Sequence, residues 1–286
     1  MPQGTSPDRP FVLCADDYGL SPGVSRGILM LIRMGRVSAT GCMVTMPQWP
    51  ALAPALAEIA DRADVGLHLT LTDQPSLARL PRLAPDGRLP PLGRLMALAL
   101  ARRLDPAEVA AEVAAQLDAF VAATGRLPDF VDGHQHVHQL PQIRGAVLDL
   151  FRDRLGEGAW LRLCFEPATA IWARGVDRLR AGVISGLGWG MARRAARAGI
   201  PVNDSFRGVH DFSGRQPCEA LFERFLAGPG RRPLVMCHPG HVDDALRAVD
   251  SLTDWREAEY AWLAGEAFQA MLSRHGMRPA RFRELG

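Results

Sequence analysis

The chain has 286 residues, 48% of them apolar and 22% charged, with a formal net charge of +2. That is enough chain for a large α/β core, and the composition is ordinary for a globular protein. Every basic side chain is an arginine, and no basic block interleaves with aromatics, so nothing speaks for nucleic-acid binding. Cys14, Cys42, Cys164, Cys218 and Cys237 are odd in number, far apart and mostly inside apolar runs. They read as reduced core thiols, not as a disulfide framework or a zinc ribbon. Met1 to Pro10 is polar and Pro-rich and lacks the apolar core of a signal peptide, and no apolar run is long enough to span a membrane. A cytoplasmic location is therefore expected.

The elements alternate. Phe11 to Ala15 predicts a first buried strand, ending in Asp16-Asp17. Ser21-Pro22 predicts an N-cap and first turn, with Val24, Ile28, Leu31 and Ile32 at helical spacing and Gly35 as the stop. Val37 to Met46 reads as a second strand, Pro54 to Ala63 as an Ala-rich helix, and Val65 to Leu71 as a third strand containing His68. Met30, Met34, Met43 and Met46 read as core filler. Residues 73–95 form a Pro- and Gly-punctuated loop of a length common in lids and binding loops. Asp105-Pro106 with Glu108 opens a helix that runs to about Thr124, and Gly125 ends it. A strand over 129–133 and a helix from Pro141 to about Leu155 follow, then a strand over Trp160–Cys164. Pro233 to Cys237 is a strand ending in His238-Pro239-Gly240-His241. A helix from about Asp254 to His275 and a short strand near Arg281-Phe282 complete the chain. With no internal repeat and no low-complexity linker, residues 1–286 read as a single domain. Within it, 166–207 is expected to be an inserted or capping element built of helical pieces.

Strand–helix alternation at this spacing predicts parallel βα units, with seven or eight strands in all. Polar residues collect just after the apolar runs, and in a parallel barrel those positions converge on one mouth. The densest collection is Asp132-Gly133-His134-Gln135-His136-Val137-His138. If the segment is extended, Asp132, His134, His136 and His138 share one face, which makes a poor core and a good metal site. The plainer reading is a solvated His-rich loop. Asp16-Asp17 reads either as a turn or cap or as two carboxylates that diverge, one to a metal and one to a reacting water. His68 alone reads as a core histidine, and His238 alone as a loop histidine beside a rigid Pro-Gly turn. Together they offer a carboxylate and two imidazoles for a metal, a second carboxylate as base, and a histidine across the site as acid. Arg162, in an apolar strand, needs a partner, and either orients Asp16, holds substrate or forms a structural ion pair. Tyr18, Trp49, Trp172 and Trp189 are divided between sugar stacking and packing.

Ala15-Asp16-Asp17-Tyr18-Gly19-Leu20-Ser21, Ser38-Ala39-Thr40, Val65-Gly66-Leu67-His68-Leu69-Thr70, Asp132-Gly133-His134-Gln135-His136-Val137-His138 and His238-Pro239-Gly240-His241 occur in that order. This series resembles the YdjC-like carbohydrate deacetylases, which include chitooligosaccharide deacetylases and hopanoid-biosynthesis deacetylases. The resemblance extends from about Phe11 to His241. It implies a distorted TIM-like (β/α) barrel that removes the acetyl group from N-acetylated sugars, with a divalent metal held by Asp17, His68 and His134. It further implies Asp16 as general base and His238 as general acid. Tyr18, His136, His138, Arg162 and His241 become substrate contacts or supports of the metal ligands. The resemblance points to magnesium, whereas two imidazoles and a carboxylate suit zinc, cobalt, iron or manganese better. The stretch from Glu166 to Arg207 brings no sugar-binding motif.

The expected activity is thus metal-dependent hydrolysis of the acetamide of an N-acetylated amino sugar or glycoconjugate. The expected partner is that sugar or a glycolipid, with no nucleic acid and no membrane span. A homodimer is compatible with the sequence. The alternatives are a metal-dependent phosphoesterase on a similar barrel and a non-catalytic sugar-binding protein. The first of these needs more ligands and two metals, and Asp16-Asp17 in place of a His-x-His speaks against it.

Overall fold

A computed structural model describes residues 9–228 and 230–286. Residues 1–8, most of the polar N-terminal stretch, and Pro229 lie outside it. The strands are β1 (Arg9–Tyr18), β2 (Ala39–Cys42), β3 (Asp64–Leu69), β4 (Phe130–Gly133), β5 (Trp160–Leu161), β6 (Ser205–Arg207), β7 (Pro233–Cys237) and β8 (Met277–Pro279). They pair in parallel in the order β5-β4-β3-β2-β1-β7-β6, and β8 lies beside the first residues of β1. Strands buried on both faces read as unbroken apolar runs, which is why Phe11 to Ala15 and Pro233 to Cys237 are legible as strands. The sheet curls until its edges meet. Leu161 bridges in parallel to Val202. Asn203 then supplies side-chain rungs: its Oδ1 accepts from Leu163 N at 2.7 Å and its Nδ2 donates to the Leu163 carbonyl at 2.8 Å. The result is the distorted (β/α) barrel expected, with seven strands in the curl and the eighth at its foot.

Most helix signals hold. Ser21 Oγ accepts from Val24 N and opens Pro22–Arg33, and Asp105 accepts from Ala107 N and Glu108 N to open Pro106–Thr124, which ends at left-handed Gly125. Other elements differ from expectation for identifiable reasons. Pro50 and Pro54 lack N–H donors, so the expected Ala-rich helix is a short turn, Trp49–Leu52, followed by a 3₁₀ segment, Ala53–Ile59. The last long helix breaks at Gly265 into Asp254–Ala264 and Glu266–His275. The expected terminal strand near Arg281 is a 3₁₀ turn, and the strand lies at Met277–Pro279 instead. Met43 and Met46 are core residues, but Met30 and Met34 are exposed, because Val24, Ile28, Leu31 and Ile32 already take the inward face. All five cysteines are free and buried. Among the described residues no helix is long and apolar enough to cross a membrane.

The 73–91 loop is no loose flap. Glu112 accepts from Leu77 N and Ala78 N, and Glu108 accepts from Arg82 N and Leu83 N. Two carboxylates one helical turn apart thus fasten the loop onto Pro106–Thr124.

Packing leaves no spare room where β3 passes the aromatic stack Phe130–Trp160–Phe282, whose ring centroids lie 4.4 and 4.7 Å apart. A Cβ on Gly66 would stand 2.5 Å from the Phe130 ring. Gly66→Ala is expected to destabilise the fold by about 1–3 kcal/mol through overpacking. Urea denaturation of the two proteins measures it, and an unchanged midpoint would show that the stack yields without penalty.

Candidate active site

β1 carries both aspartates to one place by an irregularity. Its register with β2 shifts between Ala15 and Tyr18, and Asp17 takes a left-handed φ of 72°. Two adjacent residues of a regular strand point to opposite faces; the bulge turns both carboxylates into the same site. β3 brings His68, and Gly133 at the end of β4 is followed by His134. His68 Nε2 lies 3.4 Å and His134 Nδ1 3.1 Å from Asp17 Oδ1. The three ligand atoms of Asp17, His68 and His134 fall within 4.8 Å of one another. The other ring nitrogen of His68 is 2.6 Å from Asp132 Oδ1, the carboxylate–histidine pairing that fixes a metal-binding imidazole. Room for that pair comes from Gly41, where a Cβ would stand 2.8 Å from His68 Nδ1.

Two buried arginines balance the carboxylates. Arg162 Nη1 reaches Asp16 Oδ1 at 2.6 Å and Asp132 Oδ2 at 2.8 Å. Arg256 Nη2 reaches Asp17 Oδ2 at 2.6 Å and Asp250 Oδ2 at 2.8 Å. Burial alone would raise both members of the Asp16-Asp17 pair. Arg162 holds Asp16 below the usual carboxylate range, and Arg256 with His134 holds Asp17 well below it. For His68, burial works against protonation, but Asp132 and Asp16 outweigh it and push the imidazole up to about 10. Burial pushes His238 down against the opposing pull of Asp17 and Asp16, and its Nε2 lies 3.9 Å from Asp16 Oδ2.

These residues form the floor of a cavity of about 440 Å³. Its walls are largely apolar: Leu92 and Met96 from the helix Leu92–Leu100, Val183, Ile184 and Leu187 from the helix Arg178–Arg197, and Phe212 and Leu252 from loops. The 166–207 stretch, expected as an inserted or capping element, is therefore a wall of this cavity.

Asp16, Asp17, His68, His134, His136 and His238 all line the cavity. The common face imagined for 132–138 does not form. β4 ends at Gly133, and Gln135 and His136 have φ of 52° and 61°, so the chain coils instead of extending. Asp132 faces His68 and Arg162. His138 lies buried behind the site with Nε2 2.9 Å from the Arg162 carbonyl. His136 Nδ1 sits 3.5 Å from Cys164 Sγ, with its ring edge-on to Phe206. Arg162 has no exposure and so orients Asp16 from beneath the floor. Tyr18 does not reach the cavity: its hydroxyl donates to the Leu52 carbonyl at 2.7 Å, and its ring meets Trp49, which stacks on Phe120. His241 also lies outside, against Tyr260 and Glu257.

The family model described as YdjC-like protein matches residues 10–274. The chain belongs to the YdjC-like family. Relatives include the chitooligosaccharide deacetylases of Salmonella heidelberg (strain SL476) and Salmonella dublin, each 30% identical over 282 residues, 97% of this chain and 100% of theirs. Among solved structures, a putative cellobiose-phosphate cleavage protein of Enterococcus faecalis V583 superposes with a TM-score of 0.73 at 20% identity, over 98% of this chain and 99% of that one. At that identity the likeness is one of fold.

Arg256, Asp250 and Glu259 escape the sequence reading, since nothing in Trp255-Arg256-Glu257-Ala258-Glu259 marks a helix that reaches back to β1. Glu259 is fully enclosed, and its Oε2 accepts from His238 N at 2.6 Å, which fixes the turn that aims His238. Burial pushes this carboxyl up to about 7, against the opposing pull of His238 N–H and Arg256. The folded protein thus keeps a proton that the unfolded carboxyl releases near its ordinary value of 4.5. The stability this contributes is full below that value and is lost as pH rises to about 7. Glu259→Gln keeps an acceptor for His238 N and removes the titration. From about pH 5 to about pH 8 the variant is expected to gain on the order of 2 kcal/mol relative to the parent. Urea denaturation across that range tests it; a constant difference would mean that Glu259 is ionised throughout.

Proposed function

We propose that the protein is a metal-dependent deacetylase that hydrolyses the acetamide of an N-acetylated amino sugar or glycoconjugate. The observation that carries this reading is the convergence of Asp17, His68 and His134 beside Asp16 and His238 on one cavity floor. The donor set fits a divalent cation: one carboxylate and two imidazoles, one of them fixed from behind by Asp132. That mixture favours zinc, cobalt, iron or manganese over magnesium, which prefers oxygen. When bound, such a cation polarises a carbonyl and lowers the pKa of water from 15.7 towards about 7.

The remaining work falls to the chain. Asp16, kept ionised by Arg162, has Oδ2 on the side of His238 and accepts a proton from the attacking water. His238, aimed by Glu259 beneath its backbone and 3.9 Å from Asp16, takes up that proton and passes it to the departing amine as the C–N bond breaks. Acetate and the free amino sugar leave. The apolar wall of Leu92, Met96, Val183 and Leu187 supports a substrate in which the sugar is joined to an apolar group. The relatives named chitooligosaccharide deacetylase support the sugar and the acetyl group.

A two-metal phosphoesterase is disfavoured by the second acidic cluster, Cys14, Asp16 and Asp132. Arg162 already bridges both of its carboxylates, and a second cation there would meet a fixed positive charge.

Acetate release from a panel running from diacetylchitobiose to an N-acetylglucosamine-bearing lipid, with each metal in turn, tests the reading. Asp16→Asn is expected to lower turnover by about 10²–10⁴-fold while leaving the metal bound. His134→Ala is expected to lose both. Near-normal turnover in Asp16→Asn would remove the base assignment, and absence of acetate from every compound would remove the reaction. Gly41→Ala gives an independent check, because its methyl displaces the His68–Asp132 pair. Divalent-cation affinity is expected to fall about 10–100-fold in a protein that still folds. Titration with Co²⁺ measures it, and unchanged affinity would show that Asp132 does not support His68.

A further inference from the structure

The helix Arg178–Arg197 is amphipathic in reverse. Its inward face carries Ala181, Ser185, Gly188, Met191 and Ala195, most of them small. They are small because the helix lies almost on the backbone that follows β5: a Cβ on Gly188 would stand 2.7 Å from the Cys164 carbonyl oxygen. The larger apolar side chains go outward. Leu179 is 82% exposed, Val183 51% and Trp189 54%, and Trp172 on the preceding helix Ala168–Arg174 is 64% exposed. Leu179 and Val183 lie one turn apart and Trp189 about 80° around from Leu179, so all three fall on the outward half of the helix. Single exposed apolar residues are ordinary, but a face of them on one helix marks an interaction surface.

The charge around that face selects the partner. The helix holds Arg178, Arg180, Arg193, Arg194 and Arg197 and no carboxylate. Arg178 stacks on Trp172 at 4.5 Å and Arg193 on Trp189 at 4.9 Å, so each tryptophan carries a cation at its side. Arg144 lies near both Arg194 and Arg102, which adds positive charge at the helix end. A second copy of this chain meeting the face symmetrically would set arginines against arginines. Tryptophan and leucine rimmed by arginine suit a headgroup layer with negative charge.

We propose that this face seats the protein on the surface of a bilayer containing anionic lipids, without crossing it. Val183 belongs to both the outward face and the cavity wall, and Ile184 and Leu187 continue that wall. Docking therefore places the cavity mouth at headgroup level. This inference stands whether or not the deacetylase reading holds.

Flotation of the full-length protein with vesicles of phosphatidylcholine and phosphatidylglycerol, and with phosphatidylcholine alone, tests it. Binding to the anionic vesicles is expected to exceed binding to the neutral ones by about tenfold or more and to weaken with salt. Leu179→Glu/Trp189→Glu and, separately, Arg193→Ala/Arg194→Ala/Arg197→Ala change exposed positions and should keep the parent circular dichroism and melting temperature. Each is expected to float less, the arginine variant by on the order of fivefold per arginine removed. Protein that stays soluble with anionic vesicles at low salt would overturn the proposal, as would folded variants that float like the parent. A dimer in solution that these variants dissolve would also overturn it, and would assign the face to a second copy.

Discussion

Everything at the floor of the cavity depends on charge balance among buried groups. Asp16, Asp17 and Asp132 are each no more than 1% exposed, and three carboxylates so close cannot stay ionised by themselves. Arg162 and Arg256 make it feasible by entering from opposite sides. Arg162 comes from just beyond β5 and binds Asp16 and Asp132, while Arg256 comes from the helix Asp254–Ala264 and binds Asp17. Removing one partner of such a buried set typically costs about 3–5 kcal/mol, because the remaining charge has nowhere to go. The arginines also decide which carboxylate oxygens face the cavity groups. Asp16 has one oxygen occupied by Arg162 and one turned towards His238. Asp17 has one oxygen occupied by Arg256 and one turned towards the two imidazoles.

Much of this is legible in the chain, and what is not has a common cause. The polar strand end at Asp16-Asp17, the Ser21 and Asp105 caps and the strand at Pro233–Cys237 are local, and local chemistry announces them. Arg256 lies 239 residues from Asp17, and Glu259 21 residues from the backbone it supports. Such partners are set by topology, and a single sequence carries no mark of them. Asn203 is similar: only after the barrel curls does its amide stand in for backbone rungs beside Leu163. The period-two reading of 132–138 fails for a different reason. It requires an extended chain, and the left-handed Gln135 and His136 end the alternation after one step. Asp132 and His134 still serve the same site, but from behind and from the front of His68, not side by side.

The helix Arg178–Arg197 inverts the usual pattern. Apolar residues at helical spacing ordinarily report the buried face. Here the distance of closest approach decides: at Gly188 a Cβ would meet the Cys164 carbonyl, most of the inward side chains are small, and bulk lies outward. Interior close packing thus produces an exterior apolar surface, and the same helix that closes the barrel wall carries that surface to solvent.

The two halves of the cavity then follow from different elements and obey different physics. The floor belongs to strand ends, whose positions are fixed by the ladder and by a buried lattice of ion pairs. The walls belong to helices that contribute only side-chain bulk: Leu92 and Met96 on one side, Val183 and Leu187 on the other. A substitution in the floor disturbs several charges at once, because each arginine bridges two carboxylates. A substitution in the wall alters one contact with whatever the cavity holds. Chemistry and selectivity are therefore separable in this fold: the floor must stay intact for any reaction, while the walls are able to change from one relative to the next without disturbing it.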